Sequence, residues 1–484
     1  MGMLQSTLGV SAPSERAVAR PASDSSPVTV GAGLLAVAFT WWLCGPWAIS
    51  PLYTLALFVG VPALAMIVVD VAVVRVHRRA STGLDFSRFC RGETTLSRVA
   101  IKVLSFYVVW AGIALVYWLL KEYAPYRSGY MLTLAIGLAT AAAVLTPVYV
   151  ALVDRLQVDP HDEAWHFGQW LLGRPHDAHL ARIHVLATGL RAFFLPFLLG
   201  SISELYLNSE AIGFAEASQS AHRMLYYYLD KLWLLDSIFS SIGYLIASRL
   251  LDTHIRDVYR RPTSWLVTCV CYAPYNTVFF TGTGFYQVRY WDSVMAVDGL
   301  AGLVWMTLIA ITCTIYVGAN ISFGLRFANL SKRGIITTGP YALMKHPAYF
   351  FKNISWWLMY VPFAVIGSPL EAVRASLLMA LASGVYYLRA RHEEIELAAD
   401  PKYQDYCEYI RRHGLLARLR RAGRGWRAGN GDTISGKEIE SVVGPYLEEA
   451  HALLKRKDSI RTEAESLEEA RQRPDADLAD IKER

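Results

Sequence analysis

The sequence predicts an all-α, polytopic membrane protein of about ten transmembrane helices, with both termini cytoplasmic and a helical cytosolic tail. Three observations carry this. Of 484 residues, 54% are hydrophobic and only 18% charged, where a soluble domain carries about 25% charged residues. The apolar residues gather into runs of roughly 20, the length that crosses a bilayer as a helix. The basic residues fall between those runs, and mostly on one side.

The runs lie at about 28–49, 52–74, 99–120, 129–153, 185–206, 225–248, 264–284, 294–323, 353–367 and 370–390. With the N-terminus inside, the cytoplasmic loops are 75–98, 154–184, 249–263 and 324–352. These hold eighteen Arg and Lys against four in the opposite loops. Such an excess is what the positive-inside preference requires, and losing or adding one span would scramble it. The same preference accounts for the net charge of +6 without a nucleic-acid partner. Six cysteines with no C-x-x-C spacing read as small apolar packing residues.

Four regions follow. Residues 1–26, rich in Ser, Ala and Pro and without the pattern of a signal peptide, read as a disordered arm. Residues 27–293 form a multi-span membrane domain, 294–415 a second membrane domain, and 416–484 a cytosolic linker and helix. The linker is marked by Gly423, Gly425, Gly429 and Gly431. The helix is marked by apolar residues at helical spacing within 437–471. It either packs on the cytosolic face of the protein or binds a protein partner.

Within the apolar runs, Asp70, Arg191, Asp230, Lys231 and Asp236 are ionisable. Such residues are costly in a bilayer and face the bundle interior. Asp230 and Lys231 also suit snorkelling to an interface, while Asp236 lies deeper, where it can hold the head group of an amphiphile. The loop from His161 to His184 has five histidines in no metal-binding order. Its Trp165, Phe167 and Trp170 suit an interfacial amphipathic helix, and no metal is expected.

Two polar segments carry the chemistry. One is Arg333-Gly334-Ile335-Ile336-Thr337-Thr338-Gly339-Pro340-Tyr341 with Lys345-His346-Pro347-Ala348-Tyr349. The other is Arg389-Ala390-Arg391-His392-Glu393-Glu394 with Pro401-Lys402-Tyr403 and Tyr406. Both fall on the cytoplasmic side, flanking one short helical hairpin, so they can meet. Gly339-Pro340 forces a turn, and Pro347 pushes His346 out of helical geometry. Glu393 and Glu394 offer acceptors for ribose hydroxyls or an ammonium group. Tyr341 and Tyr349 offer π faces to a cation.

These segments, within about 295–415, resemble the isoprenylcysteine carboxyl methyltransferase and phospholipid methyltransferase superfamily. Its members show R-G-[IV]-x-T-x-G-P-Y, then R-H-P-x-Y-x-G, a hairpin, and R-x-R-x-E-E before a Tyr-rich tail. The resemblance implies an S-adenosylmethionine-dependent methyltransferase that binds its cofactor through Tyr341, His346, Tyr349, Arg389, Glu393 and Glu394. It assigns no catalytic residue. Here Lys345 stands where Arg is usual, Phe351 where Gly is common, and the final Ile-Pro after Tyr406 is missing. These departures mark a divergent branch.

The acceptor expected is a membrane lipid or other amphiphile. It would arrive laterally past the short 353–367 span, through an opening rimmed by Trp356 and Trp357, with Asp236 as a further contact. The Ala- and Arg-rich composition points to a bacterial plasma membrane. Two alternatives stay open. One is a sterol-reductase-like NADPH enzyme, whose tail resembles Lys402, Tyr403, Tyr406 and Cys407. The other is a transporter or assembly protein with a degenerate methyltransferase module.

Overall fold

The computed structural model describes residues 19–44, 50–89, 94–211, 213–272, 275–276, 290–364 and 368–429. Most of the 1–26 arm, much of the 264–284 run and the helix expected within 437–471 lie outside the described residues. Of the described residues, 78% are helical. Among the described residues the sheet is one antiparallel pair, β1 (Asp257–Val258) with β2 (Ser331–Lys332). The chain divides into two units, Met1–Leu415 and Leu416–Arg484.

In the first unit the long helices are α1 (Pro27–Cys44), α2 (Pro51–Val69), α3 (Leu96–Leu119), α4 (Gly129–Leu156), α6 (Ala178–Ala211), α8 (Ala221–Leu245), α10 (Leu300–Ile321) and α12 (Pro369–Leu397). Shorter ones are α5 (Glu163–Leu171), α7 (Phe214–Ala217), α9 (Pro262–Cys269), α11 (Pro347–Tyr360) and α13 (Pro401–His413). Their starts are written locally. Proline occupies the first turn of α2, α9, α11, α12 and α13, where its missing N–H costs nothing. Asp162, Ser220, Ser368 and Asp400 cap α5, α8, α12 and α13 through their side chains.

Six helical stretches are long and apolar enough to cross a membrane: α1, α2 with its continuation to Val74, α3, α4, α6 and α10. The protein is thus a helical protein of membrane type. Of the other expected spans, α8 and α12 have the length, at 25 and 29 residues, but fall below the same apolar standard. Helix α8 explains why. It is wrapped by protein, with Leu234 and Ile238 in one buried cluster with residues of α1, α2 and α6, and with Leu225 and Leu229 in another with Met306 and Ile309 of α10. A helix enclosed this way can carry polar residues. Lys231 pairs with Glu210 at 2.7 Å and sits 3.5 Å over the Trp41 ring. Asp236 accepts from Asn320 Nδ2 at 2.8 Å and Tyr316 Oη at 3.0 Å.

One expectation is corrected. Residues 19–26, assigned to the disordered arm, are ordered against the 333–338 segment. Asp24 N donates to Ile335 O at 3.0 Å, and Asp24 Oδ2 accepts from Ile335 N at 2.7 Å. Thr337 Oγ1 donates to Pro21 O at 2.8 Å. The 333–338 backbone, irregular and partly buried, needs these partners. Helix α5 buries Phe167 beside Val109 of α3 and Ala181 of α6. Only Trp170 remains exposed there.

Arg333 anchors the loop that carries the site. It is buried, and its guanidinium donates to five carbonyls: Gly243, Ile246, Thr253, Leu325 and Phe327, at 2.6–3.1 Å. Burial lowers its pKa to about 9, which still leaves it charged at neutral pH. Next to it Arg326 Nη2 meets the buried Asp252 at 2.9 Å. Burial works against the Asp252 charge, but Arg326 and Arg256 outweigh it and hold its pKa below the ordinary carboxylate range. Gly334 has φ +112°, and a Cβ there would fall 2.7 Å from Asp24. The glycine is therefore required both for its left-handed conformation and for the close approach of the N-terminal segment.

Helix α14 (Leu415–Gly429), which begins at the last residue of the first unit, is helical through Gly423 and Gly425, which the sequence places in a linker. Two internal glycines cost about 1 kcal/mol each, while the arginines and leucines around them favour helix.

Candidate functional site

The two polar segments meet in a cleft of about 100 Å³ at the ends of α11 and α12. Four stretches of chain line it: 259–272, 316–334, 341–352 and 386–397. Helix α12 contributes one stripe, Tyr386, Arg389, Glu393 and Leu397, at spacings that share a helical face. Opposite, Pro347 starts α11 and leaves His346 at φ −130°, ψ 57°, outside helical geometry, as its position before proline requires. The turn at Gly339, with φ +62°, brings Tyr341 into the same wall.

The acidic pair is bound across the hairpin. Tyr349 Oη donates to Glu393 Oε2 at 3.0 Å. His346 Nε2 and Glu394 Oε1 are 3.2 Å apart. Lys345 Nζ also pairs with Glu394, and Arg391 Nη1 meets its other oxygen at 2.6 Å. The His346 hydrogen bond, then Lys345, holds Glu394 far below the ordinary carboxylate range, at about 2. Burial, with the Glu393 charge beside them, pushes Tyr341 and Tyr349 well above the ordinary phenol range, so both keep their protons.

Arg389 is buried at the back of the cleft. Its guanidinium lies over the rings of Tyr272, Tyr349 and Tyr386 at 5.2, 5.0 and 5.2 Å. Its Nη2 reaches Asn329 Oδ1 at 3.1 Å, while its Nε is buried with no partner. The Lys352 ammonium sits 5.1–5.4 Å over Tyr316, Trp356 and Tyr386. The tyrosine faces thus already hold two cations belonging to the chain.

Of the expected cofactor residues, Tyr341, His346, Tyr349, Arg389 and Glu393 line the cleft; Glu394 lies beside it and orients His346. Both tyrosine rings also meet neighbours within the chain. Tyr349 presents its ring to Arg389 and His346, and Tyr341 packs edge-on against Phe323. Trp356 and Trp357, expected to rim a lateral opening, pack into the α11–α12 seam. Trp356 meets Tyr386 edge-on at 5.3 Å, and Trp357 Nε1 donates to Ser383 Oγ at 3.1 Å. Asp236 does not line the cleft and is bonded to two residues that do, Tyr316 and Asn320. Tyr272, Asn329, Lys352 and Tyr386 were not singled out by sequence. The spacing Tyr386-x-x-Arg389 on one helix face was the available signal for one of them.

The cleft thus offers hydrogen-bond donors and carboxylate acceptors beneath aromatic rings. Comparison with protein-family models, with curated proteins and with solved structures gives no match. Among the described residues no group of three His, Cys, Asp or Glu side chains stands close enough to hold a metal ion.

Proposed function

We propose that this protein is a membrane-embedded, S-adenosylmethionine-dependent methyltransferase acting on a lipid or amphiphilic acceptor. The observation that carries the reading is the bonding of Glu393 to Tyr349 and of Glu394 to His346. It joins, in one cleft, the two segments that carry the methyltransferase resemblance. The donor set suits the amino-acid end of the cofactor. Glu393 can accept from an α-ammonium group, and the unpartnered Nε of Arg389 can donate to a carboxylate. The cofactor supplies an activated methyl group, so the protein's part is to position, to exclude water and to hold charge. At about 100 Å³ the cleft is smaller than the roughly 300 Å³ or more of a small-molecule site. Binding therefore requires α11 and the 341–346 loop to move apart from α12.

In this reading α8, the run containing α9, and the α11–α12 hairpin also lie in the bilayer, giving about ten spans. Both termini then face the cytoplasm of a bacterial cell. Reporter fusions after Arg79, Arg127, Arg261 and Lys352 should read inside, outside, inside and inside. An inside signal at Arg127 would reject the topology.

A second reading, the NADPH-dependent reductase, is favoured by one feature. Arg389 and Lys352 place two cations at the cleft, which suits phosphate. Calorimetry on the purified protein separates the two. The methyltransferase reading expects S-adenosylmethionine to bind, and Glu393→Gln to weaken it ten- to a hundredfold. That is the effect of losing a charge-assisted hydrogen bond worth about 1.5–3 kcal/mol. Binding of NADPH with none of S-adenosylmethionine would reverse the assignment.

A further inference from the structure

A larger cavity lies elsewhere, among α3, α4 and α6 and beneath the 245–255 segment, with a volume of about 890 Å³. Its two ends differ in chemistry. Toward the bilayer it is walled by Phe106, Trp110, Ala142 and Leu145. Toward the loops it meets Lys102, His184, Arg191, Arg249 and His254. The α4 wall, from Val153 back to Ala142, runs about 16 Å at the helical rise per residue, long enough to lie along an extended acyl chain. Helix α4 is tied to its neighbours at two points. Tyr130 Oη of α4 reaches Gly200 O of α6 at 3.3 Å, and Tyr149 Oη reaches Ser248 Oγ, just past α8, at 3.1 Å.

Charge at the polar end is unbalanced. Lys102 is neutralised by Asp154 at 2.9 Å and Asp162 at 3.1 Å. Arg249 is neutralised by Glu163 at 2.8 Å. Arg191 has no such partner among the described residues, and its Nε is buried and unbonded. His184 and Arg191 stand on one face of α6, two turns apart. His184 Nε2 and His254 Nδ1 are likewise buried with no partner, in side chains only 3% and 8% exposed. Buried polar nitrogens normally find an acceptor, and an unpaired cation in a bilayer is costly. Arg191, an unpaired guanidinium beside a cavity with an apolar end, calls for acceptor oxygens that carry negative charge and are attached to something apolar, and the unpartnered imidazole nitrogens can donate to the same oxygens in the tautomer that carries the proton there.

We propose that this cavity binds an anionic amphiphile. Its phosphate or other oxyanion lies at Arg191, His184 and His254, and its chain runs along α4 toward Ala142. The site is separate from the α11–α12 cleft and does not depend on the chemistry assigned there. The wall between them is the 243–254 segment, held by Arg333.

Thermal-shift titration of the full-length protein in non-ionic detergent tests this, with dilauroyl phosphatidic acid, dilauroyl phosphatidylcholine and inorganic phosphate as separate probes. Phosphatidic acid should raise the melting temperature saturably, and the other two should not. Arg191→Gln should weaken the apparent Kd for phosphatidic acid at least tenfold while leaving the lipid-free melting temperature unchanged or higher, because it removes an unpaired buried charge. Ala142→Trp, which narrows the apolar end and leaves every charge in place, should weaken it too. It keeps the test alive should Arg191→Gln fail to fold. Equal stabilisation by phosphatidylcholine would mean generic lipid solvation and overturn the proposal. So would full stabilisation by inorganic phosphate alone, or undiminished phosphatidic acid binding in both variants.

Discussion

The α11–α12 cleft and the α3–α4–α6 cavity sit in one unit but solve the problem of buried charge in opposite ways. In the cleft, Glu393 and Glu394 meet Tyr349, His346, Lys345 and Arg391, and the cations Arg389 and Lys352 lie over tyrosine rings. Most of these charged groups satisfy one another, though Arg389 Nε is left without a partner, and little space remains. In the cavity, space is ample and Arg191, His184 and His254 keep buried nitrogens without partners. A self-satisfied site must exchange internal bonds for ligand bonds and so must open. An unsatisfied one is formed in advance and gains its bonds outright. The lesson is that the motif-bearing region is not automatically the one most ready for a ligand.

The wall shared by the two regions gives the largest expected effect. Arg333 donates to Gly243, Ile246 and Thr253 and to Leu325 and Phe327. Of these, Ile246 lines the cavity and Phe327 lines the cleft. Arg333→Met leaves buried carbonyls without donors and should cost about 3–5 kcal/mol. Equilibrium unfolding in mixed micelles would measure it, and both sites should lose ligand together. Loss at one site alone would show that the wall is not shared.

A smaller effect sharpens the contrast in charge satisfaction. Glu394 has its pKa lowered to about 2 in the fold, from about 4.5 in the unfolded chain. Its contribution is fully present above about pH 4.5 and is lost as pH falls toward 2. After discounting for solvent screening it amounts to about 1–2 kcal/mol. The stability gap between the wild type and Glu394→Gln should therefore narrow steadily between pH 5 and pH 3. A gap independent of pH would mean that His346 and Lys345 do not stabilise the carboxylate.

The smallest effect bears on the seam that borders the cleft. Trp357→Phe removes one hydrogen bond to Ser383 and should cost about 1 kcal/mol or less in stability. Cofactor affinity, read by the same calorimetry, should stay unchanged. A large fall in turnover of a lipid acceptor, with stability intact, would return Trp357 to the role of a rim residue.

Much of this was legible in the residues. Proline in the first turns of α2, α9, α11, α12 and α13, with Ser368 and Asp400 as caps, marked helix starts because those choices act within a few residues. The meeting of His346 and Tyr349 with Glu393 and Glu394 followed from a hairpin that returns the chain to its starting side. The partners of Arg389 did not follow. Tyr272 and Asn329 are 117 and 60 residues away from it in the chain, and no spacing rule links them. The docking of Asp24 on Ile335, 311 residues apart, was equally hidden.

By itself the sequence determined where the chain is apolar for the length of a bilayer, where helices begin, and which acidic and basic side chains share a helix face. These are properties of one segment at a time, set by solvation and by backbone geometry. Only the tertiary structure decided that the tyrosine faces hold the chain's own Arg389 and Lys352, that Trp356 and Trp357 close a seam, and that a cavity remains between α4 and α6. Those outcomes depend on how helices distant in sequence fill space against one another. An unpaired guanidinium such as Arg191 becomes visible only after every possible neighbour has found its place.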